Sequence, residues 1–273
     1  MKNLTWQNPE QLFVAQELIN KVKSKCCGIK VNEVDYHVCI SEACRDNLIA
    51  FPKAAPEELY NPYLSKLRNL KELPSIYAKH IVILYNGVNT SKFYRKPLPH
   101  RDCFVIGCVA NYISLKGHAD LLQAFAKFIK LNHEVKTRLK LVGSGPTKIE
   151  CENLARQLGI DKYVEFCHEV KHEELNDFYN SLDLFVLPSH FDGFGCVCLE
   201  AYSCGVPFVI CKNQGASEYY LESERERWSF TPGNIDALSE IIDGYFRNRW
   251  SQSVKYPLDI NILVSEFLKD VGL

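Results

Sequence analysis

Short apolar, β-rich runs alternate along most of this chain with longer stretches in which apolar residues recur every three or four positions. From residue 103 onward the runs predict strands over Phe104–Val109, Leu139–Val142, Val164–Phe166, Leu184–Leu187 and Pro207–Ile210. Between them, Leu121, Leu122, Phe125, Phe128 and Ile129 fall on one helical face. Lys148–Leu158 reads as a second helix, and Ile235, Leu238, Ile241, Ile242 and Tyr245 outline another. Strands alternating with helices are the pattern of βαβ units, so an α/β fold with a doubly wound parallel sheet is expected. The pattern thins before residue 103. Leu12, Phe13, Leu18, Ile19 and Val22 predict a helix, and Asp35–Ile40 a strand with Ser41 capping the next helix. Ile81–Leu84 is a strand running into Asn86 and Gly87. Two strands fall short of a doubly wound domain of ~150 residues, so residues 1–95 are expected to form a reduced α/β part ahead of a domain over 96–250. Ile260, Leu263, Phe267 and Leu268 predict a helix within the last segment, 251–273. No internal repeat is present, which excludes a solenoid.

Composition narrows the class. Of the 273 residues, 47% are apolar and 24% charged, ordinary proportions for a folded soluble protein. The net charge of -1 leaves no footprint for nucleic acid, so any polyanion must be met by a local site. Met1–Glu10 is polar and contains Pro9, so no secretory leader is expected. The most apolar region, Leu182–Cys211, is interrupted by Pro188, Gly193, Gly195, Gly205 and Pro207 and carries Asp183, Asp192 and Glu200. A membrane-spanning helix would not tolerate these, and a soluble, cytoplasmic protein is the expectation. Of the 12 cysteines, Cys39, Cys103, Cys108, Cys167 and Cys211 lie in or beside strand-like runs, where a thiol behaves as a small hydrophobe. Only Cys26-Cys27 and Cys196-x-Cys198 come near a zinc-knuckle spacing, so no structural metal is expected.

The most informative segment is Pro188-Ser-His-Phe-Asp-Gly-Phe-Gly-Cys-Val-Cys-Leu-Glu-Ala201, in which a buried strand ends in a glycine-containing loop leading into a helix near Gly195. In open α/β sheets ligands sit beyond the carboxyl ends of strands, and a helix N-terminus favours an anion. Taken alone, the segment also reads as an ordinary strand-to-helix turn. It does not stand alone. With its acid, seven residues and Glu, written here as Asp192 and Glu200, it resembles the acidic motif of retaining GT-B glycosyltransferases of family 4. Four further segments resemble that family in the same order, covering about residues 81 to 220. They are Ile81–Asn89 followed by Phe93, Gly107–His118 with its Lys116-Gly117, Leu141-Val-Gly-Ser-Gly-Pro146, and Asn213-Gln-Gly-Ala-Ser-Glu218.

The resemblance implies a GT-B-like protein whose second domain holds a nucleoside diphosphate sugar, with the C-terminal helix crossing back to the first part. It implies that Asp192 contacts the transferred sugar and Glu200 the ribose hydroxyls, the family usually having Glu at the first of these positions. Lys116 becomes the cation for the departing diphosphate, where electrostatic catalysis needs a fixed donor. On its own a Lys-Gly pair at a helix start reads as a solvated surface residue. The family often adds an arginine near the glycine turn, and Asn111 stands there instead. The base is expected near His168, largely through backbone groups, while His190 and His118 read as structural neighbours or uncommitted. Lys116 and Asp192 are thus the catalytic candidates, with Asn111, Gly117, Gly143, His168, Gly193, Phe194, Gly195, Cys196 and Glu200 lining the donor site.

The reaction implied is transfer of a hexose from GDP-mannose or a UDP-hexose to an acceptor hydroxyl with retention, without cofactor or obligatory metal. The acceptor, whether glycan, protein or lipid, stays open. So do two alternatives: a binding subunit needing a partner chain for the acceptor side, and a GT-B-fold sugar-nucleotide epimerase. With so short a first part, the isolated chain is expected to bind donor yet transfer sugar poorly or not at all. A dinucleotide oxidoreductase is excluded because Pro146 follows Gly143-Ser-Gly145 and removes an N–H where a pyrophosphate would sit, and no P-loop motif occurs.

Overall fold

The computed structural model describes residues 37–45, 81–97 and 102–270. The helix expected over Leu12–Val22 lies outside them, as do Asp35 and Tyr36. The chain falls into two units, one of residues 87–262 and the other including residues 37–45, 81–86 and 263–270. In the smaller unit β1 (His37–Cys39) pairs in parallel with β2 (Ile81–Ile83), Val38 opposite Val82.

The larger unit is built on six parallel strands: β3 (Phe104–Val109), β4 (Thr137–Val142), β5 (Val164–Cys167), β6 (Leu184–Leu187), β7 (Phe208–Cys211) and β8 (Ser229–Phe230). Their order in the sheet is β5-β4-β3-β6-β7-β8. All residues of β6 and β7 are buried, as expected for central strands covered on both faces, which is why they read as unbroken apolar runs. Helices α1 (His118–Leu131), α2 (Lys148–Gln157), α3 (Leu175–Asn180), α4 (Cys196–Ser203) and α5 (Arg225–Trp228) join successive strands, and α6 (Ile235–Asn248) and α7 (Ile260–Asp270) follow β8.

The apolar face of α1 packs on α6, burying Leu121, Leu122, Phe125 and Phe128 with Leu238 and Ile242. One end of this seam is aromatic: Phe104, Phe128 and Phe246 pack with ring centroids 5.1 to 5.7 Å apart. A glycine at 107 lets β3 lie under Leu182, since a Cβ there would come within 2.3 Å of that side chain. The segment leading into the sheet is stitched to α3 by asparagine side chains. Tyr94 N–H donates to Asn176 Oδ1 and Lys96 N–H to Asn180 Oδ1.

The strand order fixes where a ligand can bind. The chain runs outward from β3 to β4 and β5, then returns to place β6 on the other side of β3. This reversal beside β3 is the switch point of the sheet, and a ligand is expected at the carboxyl ends of β3 and β6, where the loops leaving them meet. All five predicted strands of this unit are present, β4 starting two residues early because Thr137 Oγ1 bonds the Phe104 carbonyl. The short elements α3, α5 and β8 carry no readable periodicity. Replacing Phe128 by Ala should destabilise the larger unit by about 3 to 5 kcal/mol, the cost of emptying a fully buried phenyl site. Urea unfolding of both proteins measures it, and a loss under 1 kcal/mol would show that the α1–α6 seam does not hold this unit together.

Candidate functional site

Beyond Val109 the chain turns through Ala110, Asn111 and Tyr112 before the single 3-10 turn Ser114–Lys116, and Gly117 then starts α1. Gly117 is left-handed at φ 67, and a Cβ there would sit 2.1 Å from the Pro188 carbonyl. The turn is thereby laid directly on the loop that leaves β6. Two bonds fix the contact: His190 N–H donates to the Leu115 carbonyl at 2.8 Å, and Ser189 Oγ reaches the same carbonyl at 3.3 Å. His190 also pairs with Asp120, Nε2 to Oδ2 2.6 Å, joining the loop to the first turn of α1.

With the two loops pressed together, Lys116 Nζ meets Asp192 Oδ2 at 2.5 Å. The side chains keep only 15% and 20% of their exposure, so the pair is largely enclosed where the two loops meet and is little screened by solvent. The carboxylate is held independently of the lysine. Its Oδ1 accepts the Phe194 N–H at 3.2 Å, and the Asp192 N–H donates to Gln214 Oε1. Gln214 is buried and reaches across from the loop after β7, its Nε2 also bonding the His190 carbonyl at 3.3 Å. Gly215 lets that loop close on Phe194, since a Cβ there would lie 2.5 Å from the ring. The loop then turns at Gly195, left-handed at φ 87, which begins α4 with no side-chain cap.

Glu200 lies inside α4, 4% exposed, where Tyr179 donates its hydroxyl to Oε2 at 2.7 Å. Burial pushes its carboxyl up to about 7, the tyrosine bond pulling weakly the other way. His118 is also buried, stacked 4.2 Å from Tyr112, and neither ring nitrogen meets a partner at hydrogen-bond geometry. Burial first and the charge of Lys116 second push it down to about 4, the nearby Ala110 backbone opposing least. The imidazole is therefore neutral near pH 7.

The crevice thus gathers most of the residues singled out from the sequence. Lys116, Gly117, Asp192, Gly193, Gly195 and Cys196 lie on the facing β3 and β6 loops. Asn111 is exposed in the β3 turn, against which Gly143 closes, a Cβ at 143 falling 2.1 Å from the Ala110 carbonyl. His168 is exposed after β5, two strands from β3, and its neighbour Glu169 bonds Ser144. Phe194 is engaged internally: its N–H on Asp192, its carbonyl on Ala216 and its ring on Tyr219. Sequence reasoning did not single out Gln214 or Tyr179. Gln214 lies in the glycine loop after β7 with no local signal for its role, and Tyr179 lies on a helix too short to read. Among the described residues no group of three or more His, Cys, Asp or Glu is placed to hold a metal ion, and no helix is long and apolar enough to cross a membrane.

The structure is thus a parallel α/β domain whose switch point carries a cation, an acidic loop and a glycine-started helix. The family model described as Glycosyl transferases group 1 matches residues 90–256, and the chain belongs to that family. Among curated relatives, the gpi3 subunit of phosphatidylinositol N-acetylglucosaminyltransferase from Schizosaccharomyces pombe is 24% identical over 84% of this chain and 45% of its own length. D-inositol 3-phosphate glycosyltransferase of Corynebacterium kroppenstedtii is 35% identical over 68% of this chain and 40% of its own. The chain spans less than half the length of these relatives. Among solved structures, the C-terminal domain of a group 1 family protein from Francisella tularensis aligns at TM-score 0.53, 22% identity, covering 60% of this chain and 89% of that one. Anabaena HepE aligns at 0.66, 17% identity, covering 97% and 70%. The fold is the GT-B-like parallel α/β fold.

The raised carboxyl of Glu200 predicts a pH dependence. An acid titrating near 7 when folded and near 4.5 when unfolded holds its proton more tightly in the folded state, so the stability it lends at low pH is lost as pH rises from 4.5 to 7. Glu200→Gln should therefore gain roughly 3 kcal/mol on the wild type between pH 4.5 and pH 8. Urea unfolding at the two pH values measures it, and parallel curves would show that Glu200 is not desolvated as described.

Proposed function

We propose that this chain holds a nucleoside diphosphate sugar in the switch-point crevice and transfers its hexose to an acceptor hydroxyl with retention. The observation that carries the reading is the Lys116–Asp192 pair, fixed between the β3 and β6 loops beside the glycine-started helix α4. In this reading the diphosphate lies across the Lys116 ammonium and the first turn of α4, where positive charge and helix dipole favour an anion. The bond from the anomeric carbon to the β-phosphate oxygen breaks, its electron pair going to that phosphate. The acceptor oxygen bonds to the anomeric carbon from the face the phosphate leaves, and its proton passes to the departing phosphate oxygen. Negative charge grows on the leaving phosphate, and Lys116 is the preorganised group that meets it. Asp192 accepts from a hydroxyl of the transferred sugar, and Glu200 serves the ribose from within α4. Asn111 offers a neutral donor where the family commonly carries arginine, so Lys116 bears more of the phosphate's charge.

GDP-mannose and UDP-hexoses are the donors proposed. One relative bears the name of a GDP-mannose-dependent mannosyltransferase, from Mycolicibacterium smegmatis, 30% identical over 55% of this chain. The binding-subunit reading draws on a different observation, that the Schizosaccharomyces pombe relative is named as a subunit. Cofactor and obligatory metal have no part in the proposed reaction.

Calorimetric titration with GDP-mannose, UDP-glucose and UDP-N-acetylglucosamine, followed by a product assay with candidate acceptors, tests the proposal. One donor should bind, and Lys116→Ala should weaken it by about 1.5 to 3 kcal/mol, the worth of a hydrogen bond to a charged group. An unchanged dissociation constant would remove Lys116 from the site. Binding without any product from the purified chain would favour the subunit reading over the enzyme.

A further inference from the structure

We propose that Asp192 makes the crevice discriminate between an intact sugar nucleotide and the bare nucleoside diphosphate, favouring the first and expelling the second. The inference rests on the donor-site reading above and assigns Asp192 a task beyond contact with the sugar.

The argument is geometric. A phosphate oxygen that bonds the Lys116 ammonium at the usual distance of about 3 Å must lie within about 5.5 Å of Asp192 Oδ2, because that oxygen is itself 2.5 Å from Nζ. This separation is shorter than the screening length of about 8 Å at physiological salt, so the carboxylate and the phosphate feel each other directly. Nor can Asp192 readily swing away. The Phe194 N–H holds its Oδ1, and its own N–H is held by the buried Gln214. A ligand therefore meets a paired lysine and must share it with a fixed negative charge.

The two ligands differ in what they bring to that charge. In a sugar nucleotide the terminal phosphate is an ester with one ionised oxygen, and the attached sugar presents hydroxyl donors that a carboxylate accepts. After transfer the terminal phosphate gains a second ionisable oxygen, with a pKa near 6 for a phosphate of this kind, and the hydroxyl donors are gone. The same carboxylate then changes from a hydrogen-bond acceptor of the ligand into a like charge beside it. Its effect on binding reverses between donor and product, which favours product release.

Calorimetry with UDP, UDP-glucose, GDP and GDP-mannose on the wild type, Asp192→Asn and Asp192→Glu tests this. Asn keeps an oxygen for the Phe194 N–H while removing the charge; Glu keeps the charge. For the base that binds, Asp192→Asn should tighten the bare diphosphate by about fivefold, the upper end for one partly exposed charge pair. The sugar nucleotide should bind no more tightly than before, and Asp192→Glu should leave the bare diphosphate no tighter. Asp192→Ser, a second neutral variant, must move the diphosphate in the same direction, and thermal melting confirms that each variant folds. A bare diphosphate no tighter in the neutral variants overturns the inference while leaving the donor site standing. Equal tightening of both ligands also overturns it, reducing Asp192 to a general electrostatic background. If no nucleotide binds to any of the proteins, the donor-site reading itself falls, and the inference with it.

Discussion

The close contact of Gly117 with the Pro188 carbonyl decides what the rest of the crevice can be. A side chain at 117 would need a left-handed backbone and would also place its Cβ 2.1 Å from that oxygen, so the two loops could not touch. With glycine there, Leu115 offers its carbonyl to His190 and Ser189, and the preceding turn is locked in register with the loop after β6. Lys116 and Asp192 are 76 residues apart in sequence and meet because of this backbone fit. Their attraction alone would not assemble the loops, because holding two flexible charged side chains in one geometry offsets much of what an ion pair gains.

Near that contact two buried titratable groups resist ionisation. Glu200 is buried with a single hydroxyl partner from Tyr179 and holds its proton until about pH 7. His118, next to Gly117, is too desolvated to carry a proton at that pH. Both shifts disfavour the ionised form, and in both the largest cause is burial over the floor of the site, where Tyr112 stacks on His118 and Tyr179 lies under Glu200. Such a floor also strengthens whatever charges remain above it, since effective dielectric falls as water is excluded.

The core of the larger unit was legible because the physics that forms it is periodic. Phe104–Val109 and Leu184–Leu187 are continuous apolar runs, and the parallel sheet buries them on both faces. The helix of Leu121, Phe125 and Phe128 was equally plain, its spacing matching one turn. The glycines at 117, 143 and 195 marked turns, and all three have positive φ. What the sequence hid was contact without period. Gln214 bracing Asp192, Tyr179 under Glu200 and Asp120 holding His190 each join residues from separate loops or helices. A single sequence has no local signal for a hydrogen bond across 22 or 70 positions. The strand β8 is two residues long and exists only because β7 offers it an edge.

Why the acidic loop needs so many braces follows from the sign of the charges there. An aspartate free to rotate would follow Lys116 wherever a ligand drew it, and the pair would act as one neutral group. Here the carboxylate is tied to Phe194 and its backbone to Gln214, while Lys116 extends from a separate turn and can move its flexible stem. The negative end is fixed and the positive end adjusts. Lys148, over the Tyr112 ring and bonded to the Cys167 carbonyl, adds a second ammonium at the carboxyl ends of β4 and β5, away from the acid. Positive charge is thus spread along the carboxyl ends of the strands, while the acid that meets Lys116 is anchored, and Asp120 and Glu169 are engaged with His190 and Ser144. A ligand that carries its own negative charge and a hydroxyl can satisfy both features only in one orientation, its anion toward the lysines and its hydroxyl toward Asp192. Orientation comes from the anchoring rather than from the number of charges, because a mobile acid would accept the ligand either way round.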